Sequence, residues 1–224
     1  QVSFCARGPA AGEIVRTQFP NGLRLLVRRN PAQPIVAVNA FFAAGVRAEP
    51  AGKSGLSLVT ARMMPRGTAA RSALDIAAAF EDMGGDLSAS SGNHALYLTA
   101  SCLAPDLPRA LDVAADVLRN PAFLPAELER LRPQLLAAIA RQKDDWRDQL
   151  FNAFRRAWFG NHPYRNAPLG LAAEVSALTR DDLLDFYRRV CMPNNMVLCV
   201  FGDVDPVQVA ALVEKHFADW PAGT

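Results

Sequence analysis

The side chains equipped for chemistry are few: three histidines, four cysteines and two short clusters of Ser, Gly, Asn and Lys. His94, His162 and His216 lie far apart, without the spacing that puts two imidazoles on one helical face, so they do not read as a metal site. HExxH, HxxEH, GxSxG and GxGxxG are all absent, as is any telling pair of carboxylates. Ser90-Ser91-Gly92-Asn93 offers hydroxyls, but Ser, Gly and Asn are also what a hairpin turn needs, and no base stands beside them. Gly52-Lys53-Ser54-Gly55 lacks the first glycine of a phosphate loop and reads as a helix start. His94 falls on an apolar strand face and reads as a core or rim residue. His162-Pro163-Tyr164 reads as a turn after a helix, and His216 suits the dipole at a helix C-terminus. Cys5, Cys102, Cys191 and Cys199 form no CxxC and sit mostly in apolar runs, the setting of buried free thiols.

Around these residues the composition is that of a soluble globular protein. With 224 residues, 50% hydrophobic and 21% charged, the chain is neither disordered nor collagen-like. At 24.2 kDa it is large enough to bury roughly 70% of its unfolded surface. Lys plus Arg number 24 against 22 Asp plus Glu, with no block of five or six like charges, which argues against a nucleic-acid partner. The longest apolar stretch, Ile35 to Val46, is about half a membrane span and contains Asn39, so it reads as a buried strand and no membrane span is predicted. Gln1-Val2-Ser3-Phe4-Cys5 has neither an initiator Met nor a signal-peptide layout, and the expectation is a processed or excised segment. A soluble protein is expected, with no compartment assigned.

Residues 1–12 have no periodicity and read as an arm or linker, residues 13–220 as a single domain and 221–224 as a tail. Leu23 to Arg28 and Ile35 to Ala43 are strand-like, and Ile14 to Phe19 decides between two and three early strands. Two helices follow, the second capped by Ser72 with Leu74, Ala77, Phe80 and Met83 as its apolar positions. Leu87 to Ser91 and His94 to Cys102 read as a hairpin. Next come a helix from Leu107, a long helix through Leu128 and Ile139 that Pro133 should kink, a helix with Phe151, Phe154 and Trp158, and one capped by Thr179. Asn195 to Gly202 is a last strand, and Asp205-Pro206 opens a final helix. Strand and helix do not alternate strictly, so an α+β fold is expected, with helices packed on a mixed, mostly antiparallel sheet.

One ordered set of short segments carries a family resemblance. It comprises Asn21-Gly22-Leu23, Gly45-Val46-Arg47-Ala48-Glu49 with Gly52-Lys53-Ser54-Gly55-Leu56, Met63 with Arg66-Gly67-Thr68, Met83-Gly84-Gly85, Asn120-Pro121-Ala122-Phe123, Glu127-Leu128-Glu129-Arg130, His162-Pro163-Tyr164, and Pro193-Asn194-Asn195-Met196 before Gly202-Asp203-Val204. In this order they resemble the M16 zinc metallopeptidases: pitrilysin, insulin-degrading enzyme, the mitochondrial processing peptidase and the core proteins of respiratory complex III. In active members of that family, the helix after Gly-Leu carries HxxEH, two histidines binding zinc and a glutamate activating water. Aligned on Gly55-Leu56 and Met63, the histidine places here hold Leu58 and Arg62 and the glutamate place Ala61; the third ligand falls on Ala138 and a further acidic place on Leu131. The resemblance therefore implies a catalytically silent member with no metal of its own, zinc belonging only to an active partner.

It also implies a fold of the LuxS and processing-peptidase type and a partner. That partner is either an active M16 domain or subunit, or a second M16-like domain of the same polypeptide, with this chain as chamber wall. Leu87, Ser88, Ala89 and Ser90 correspond to the strand on which substrate peptide pairs, so an unfolded peptide is a further expected partner, although Ser88 replaces the family's asparagine and a plain hairpin strand accounts for the same residues. The alternative function is a structural or assembly protein of the same fold with no protease role, like the core proteins. A third is an enzyme of unrelated chemistry in the same scaffold, for which a pocket gathering His94 or His162 would speak.

Overall fold

A computed structural model describes residues 12–223. Apart from Gly12, the expected N-terminal arm lies outside these residues, and so do Cys5 and Thr224. Ile14 does begin a strand, so three strands come first: β1 (Ile14–Gln18), β2 (Arg24–Arg29) and β3 (Ile35–Ala43). They are followed by α1 (Leu56–Met63), α2 (Ala73–Asp82), the hairpin β4 (Asp86–Ser91) and β5 (Ala95–Leu103), α3 (Leu107–Arg119), α4 (Pro125–Arg141), α5 (Trp146–Phe159), α6 (Ala172–Ala177), α7 (Arg180–Val190), β6 (Met196–Gly202) and α8 (Pro206–Phe217). The six strands form one sheet in the order β1-β2-β6-β3-β5-β4, antiparallel throughout except where β2 meets β6. This is the expected α+β architecture.

Strand residues alternate in burial because successive side chains point to opposite faces. Val36, Val38, Ala40 and Phe42 of β3, Leu96, Leu98, Ala100 and Cys102 of β5, and Met196, Leu198 and Val200 of β6 point to the helices and are buried. The opposite face carries Ile35, Phe41, Leu103 and Phe201, all exposed. Register fixes this division: Phe41 stands between Tyr97 and Val197, and Ala37 next to Phe201.

Several expectations shift by a residue or a face. The capping box of Ser72 and Asp75 sets the phase of α2 so that Ile76, Phe80 and Met83 enter the core. Leu74, expected inside, is 77% exposed. His94 stands just before β5 and is exposed instead of lying on its buried face. Gly92-Asn93-His94-Ala95 takes up the turn, with Gly92 donating to the Ala95 carbonyl at 2.9 Å. α4 runs on through Pro133, and the short α6 was not expected. Six residues hold too few turns to show a helical period. Cys102 and Cys191 are buried free thiols, as expected; Cys199 is free and half-buried.

Candidate functional site

The helix that would carry chemistry is α1, and its start is held by carboxylates. Gly55, at φ 91°, caps the helix in a left-handed conformation that leaves the first backbone N–H groups pointing outward. Glu49 accepts two of them, from Gly55 at 3.1 Å and Ser57 at 2.9 Å, and Glu174, from the start of α6, accepts from Ser54 at 2.5 Å. Negative charge is favourable here because the N-terminal end of a helix is the positive end of its dipole. Burial pushes the Glu49 carboxyl up to about 7; its two N–H donors pull the other way and nearby Glu174 adds to the rise. Lys53 pairs with Asp182 at the start of α7. Ser57 Oγ and Ser91 Oγ are 2.6 Å apart, fixing α1 to the end of β4. Gly170 packs so closely beneath this loop that a Cβ on it would lie 2.3 Å from the Ser54 carbonyl oxygen.

Further along α1, the chemistry stops. Leu58 and Ala61 are buried in the core cluster, and Leu131 of α4, which packs against α1, is 1% exposed. Arg62 and Ala138 are half-buried. Hydrocarbon side chains have no lone pair to offer, and a guanidinium brings a positive charge where a dication would need donors. This set does not fit a zinc ion. Among the described residues, no group of three or more His, Cys, Asp or Glu side chains could hold a metal. The hydroxyl of Thr60, fully buried in α1, and that of Ser54 have no hydrogen-bond partner among the described residues.

Among the described residues β4 lies at the edge of the sheet and is bonded only to β5, so alternate N–H and C=O groups along it face away from the sheet. Leu87 and Ala89 lean into the core and are half-buried. Ser88 and Ser90 point to the other face, and Ser88 Oγ lies 3.0 Å from Thr99 Oγ1. Gly85 permits the close pairing that begins the strand, since a Cβ there would lie 2.0 Å from the Ser101 carbonyl oxygen.

His94 and His162, unrelated in sequence, meet at Tyr164. The Tyr164 hydroxyl lies 2.7 Å from Nδ1 and 2.9 Å from Nε2 of His94, while the Tyr164 N–H donates to Nδ1 of His162 at 3.2 Å. The His162–Tyr164 turn is the expected one. No carboxylate or thiol joins the cluster among the described residues, and its role is to strap the end of α5 to the β4–β5 turn. Nothing in the spacing could have announced it, because its partners are 70 residues apart. The same holds for Glu174, 120 residues from the N–H it accepts. His216 joins neither of the other two histidines; it lies in the last turn of α8, 3.8 Å from Asp112.

The profile of the family described as "Insulinase (Peptidase family M16)" matches residues 24–170. The chain belongs to this family. A second profile, "Peptidase M16 inactive domain", matches residues 177–224. An uncharacterized zinc protease of Mycobacterium leprae is 35% identical over 204 residues, covering 91% of this chain and 46% of that protein. A protease from Helicobacter pylori has the same fold, with TM-score 0.89 at 20% identity over 95% of this chain and 52% of its own. The peptidase M16 inactive domain from Pseudomonas fluorescens superposes with TM-score 0.84 at 25% identity, over 94% of this chain and 52% of its own. The chain thus spans about half the length of the relatives it matches.

Proposed function

We propose that this chain is a non-catalytic unit of an M16-type peptidase, forming part of the wall of an enclosure beside an active M16 unit and holding no zinc itself. The observation that supports this reading is the apolar filling of the α1–α4 region. Leu58, Ala61 and Leu131 are packed into the core where the family's chemistry requires donors, while the scaffold around them, down to the carboxylate-held start of α1, is intact. A scaffold kept in order without its reactive groups serves by shape and contact. The edge strand at Leu87, Ser88, Ala89 and Ser90 supplies a second contribution: an unfolded peptide can add to β4 through main-chain hydrogen bonds, with the small side chains letting its backbone approach.

The test is reconstitution with an M16 companion that carries HxxEH. Adding this chain should raise the companion's peptide turnover while the chain alone hydrolyses nothing. Turnover unchanged by the chain across saturating concentrations would favour the purely structural role of a core-protein-like subunit.

A further inference from the structure

Helix α5 turns its polar side toward the rest of the chain. Its large apolar side chains, Trp146, Leu150, Phe151, Phe154 and Trp158, are all exposed, and none of its 14 residues is buried. At 100° per residue, Gln149, Asn152 and Arg156 fall within about 60° of one another, on the side away from that stripe. Pressed against a packed interior, two amides and a guanidinium would be left without partners. Here they face a hollow of about 510 Å³ between α5, the end of α4 and the segment leading into α6.

The charge around this hollow is of one sign. Lys143 just past the end of α4, Arg156 of α5 and Arg165 of the turn before α6 line it, and no aspartate or glutamate does. None of the three cations takes part in an ion pair among the described residues. Carboxylates close by in the sequence are engaged elsewhere: Asp145 caps α5, accepting from the Arg147 N–H at 2.8 Å, and Glu174 accepts from the Ser54 N–H at 2.5 Å. Asp144 and Asp148 lie outside the lining. Amides complete the wall. Gln149 donates to the Lys143 carbonyl, and Asn152 donates to Gln142 Oε1 at 3.4 Å, which leaves the Gln142 amide with its own N–H groups to offer. Asn166 adds a further amide.

We propose that this hollow binds a compact multivalent anion, its carboxylate or phosphate oxygens held by Lys143, Arg156 and Arg165 and by the amide N–H groups beside them. The site goes beyond the non-catalytic reading and does not depend on it, since its lining includes none of the five positions where the family's chemistry is replaced. A guanidinium presents a planar fork of donors that matches both carboxylate and phosphate, and an ammonium adds a point charge. A single monovalent ion would leave two of the three cations unmatched. The volume falls within the range of small-molecule sites, roughly 300–1,000 Å³. An acidic protein segment is the poorer occupant, because the cations line one bounded hollow instead of a track along the surface.

The test is isothermal titration calorimetry of the chain with citrate and with pyrophosphate, at about 20 mM NaCl to limit screening. At least one of the two is expected to bind with Kd below about 1 mM, more weakly as salt rises to about 200 mM. R156Q/R165Q should weaken that binding at least about tenfold, because two charged donors are lost. R24Q/R28Q removes the same charge from β2, away from the lining, and should leave affinity within about twofold. All four arginines are exposed, and thermal melting checks that each variant is folded. Binding of citrate alone makes the ligand a polycarboxylate and binding of pyrophosphate alone makes it a phosphate compound; either supports the site. Neither anion binding below about 1 mM overturns the proposal. So does an affinity indifferent to R156Q/R165Q, or one weakened equally by R24Q/R28Q, which would be an effect of net charge. Binding confined to a hexaglutamate peptide also overturns it, in favour of an acidic segment of another protein.

Discussion

Two groups around α1, Thr60 and the half-buried Glu49, can be tested one residue at a time. Thr60 is fully buried with an unpartnered hydroxyl, and a buried donor left unmade costs stability. Replacing it by the isosteric valine removes the cost without changing shape, so Thr60→Val should raise unfolding stability by about 1 kcal/mol in urea titration. Glu49 has its carboxyl raised from 4.5 to about 7, chiefly by burial. Between those two values the folded chain keeps a proton that the unfolded chain has already released. Stability from this group is therefore fully present below about pH 4.5 and declines as pH rises to about 7. Glu49→Gln should lower Tm, because an amide supplies one acceptor oxygen in place of two, and should flatten the decline in that window. A slope unchanged in the variant would assign the pH dependence to other groups.

Elements differ in how plainly their sequences announce them. The β4–β5 hairpin, the Ser72 and Thr179 caps and the Asp205-Pro206 helix start were legible because each depends on residues within four positions of one another. α5 was legible as a helix, but its outward-facing stripe was not, since periodicity marks an apolar face without saying whether anything covers it. Leu74 illustrates the same limit: the period of α2 admits two neighbouring faces, and packing against the sheet selects the one with Ile76. At β4, the edge position, which the hairpin's own sequence does not reveal, is what the proposed peptide contact rests on. Ser88→Lys with Ser90→Lys places two charges of the kind that blunt exposed edges. Fluorescence anisotropy should show an extended peptide bound about tenfold more weakly, with Tm unchanged. Equal affinity in the variant would remove β4 from peptide contact.

Across the whole molecule, the order of short motifs carried the family and the fold, because those motifs are spread along most of the length that the family profile matches. The resemblance put leucine, alanine and arginine at five positions, of which Leu58, Ala61 and Leu131 are packed in the core. The long-range contacts were not legible: Glu174 meets Ser54 across 120 residues and His94 meets Tyr164 across 70, and the outer face of the sheet gathers strands from both ends of the chain. On the proposed reading, this unit keeps the peptidase scaffold without its metal chemistry. Zinc stoichiometry by mass spectrometry on the purified chain, with peptide hydrolysis measured on the same sample, tests it most directly. Zinc far below one equivalent after dialysis and no hydrolysis are expected; one equivalent of zinc with turnover that a chelator abolishes would overturn the non-catalytic reading.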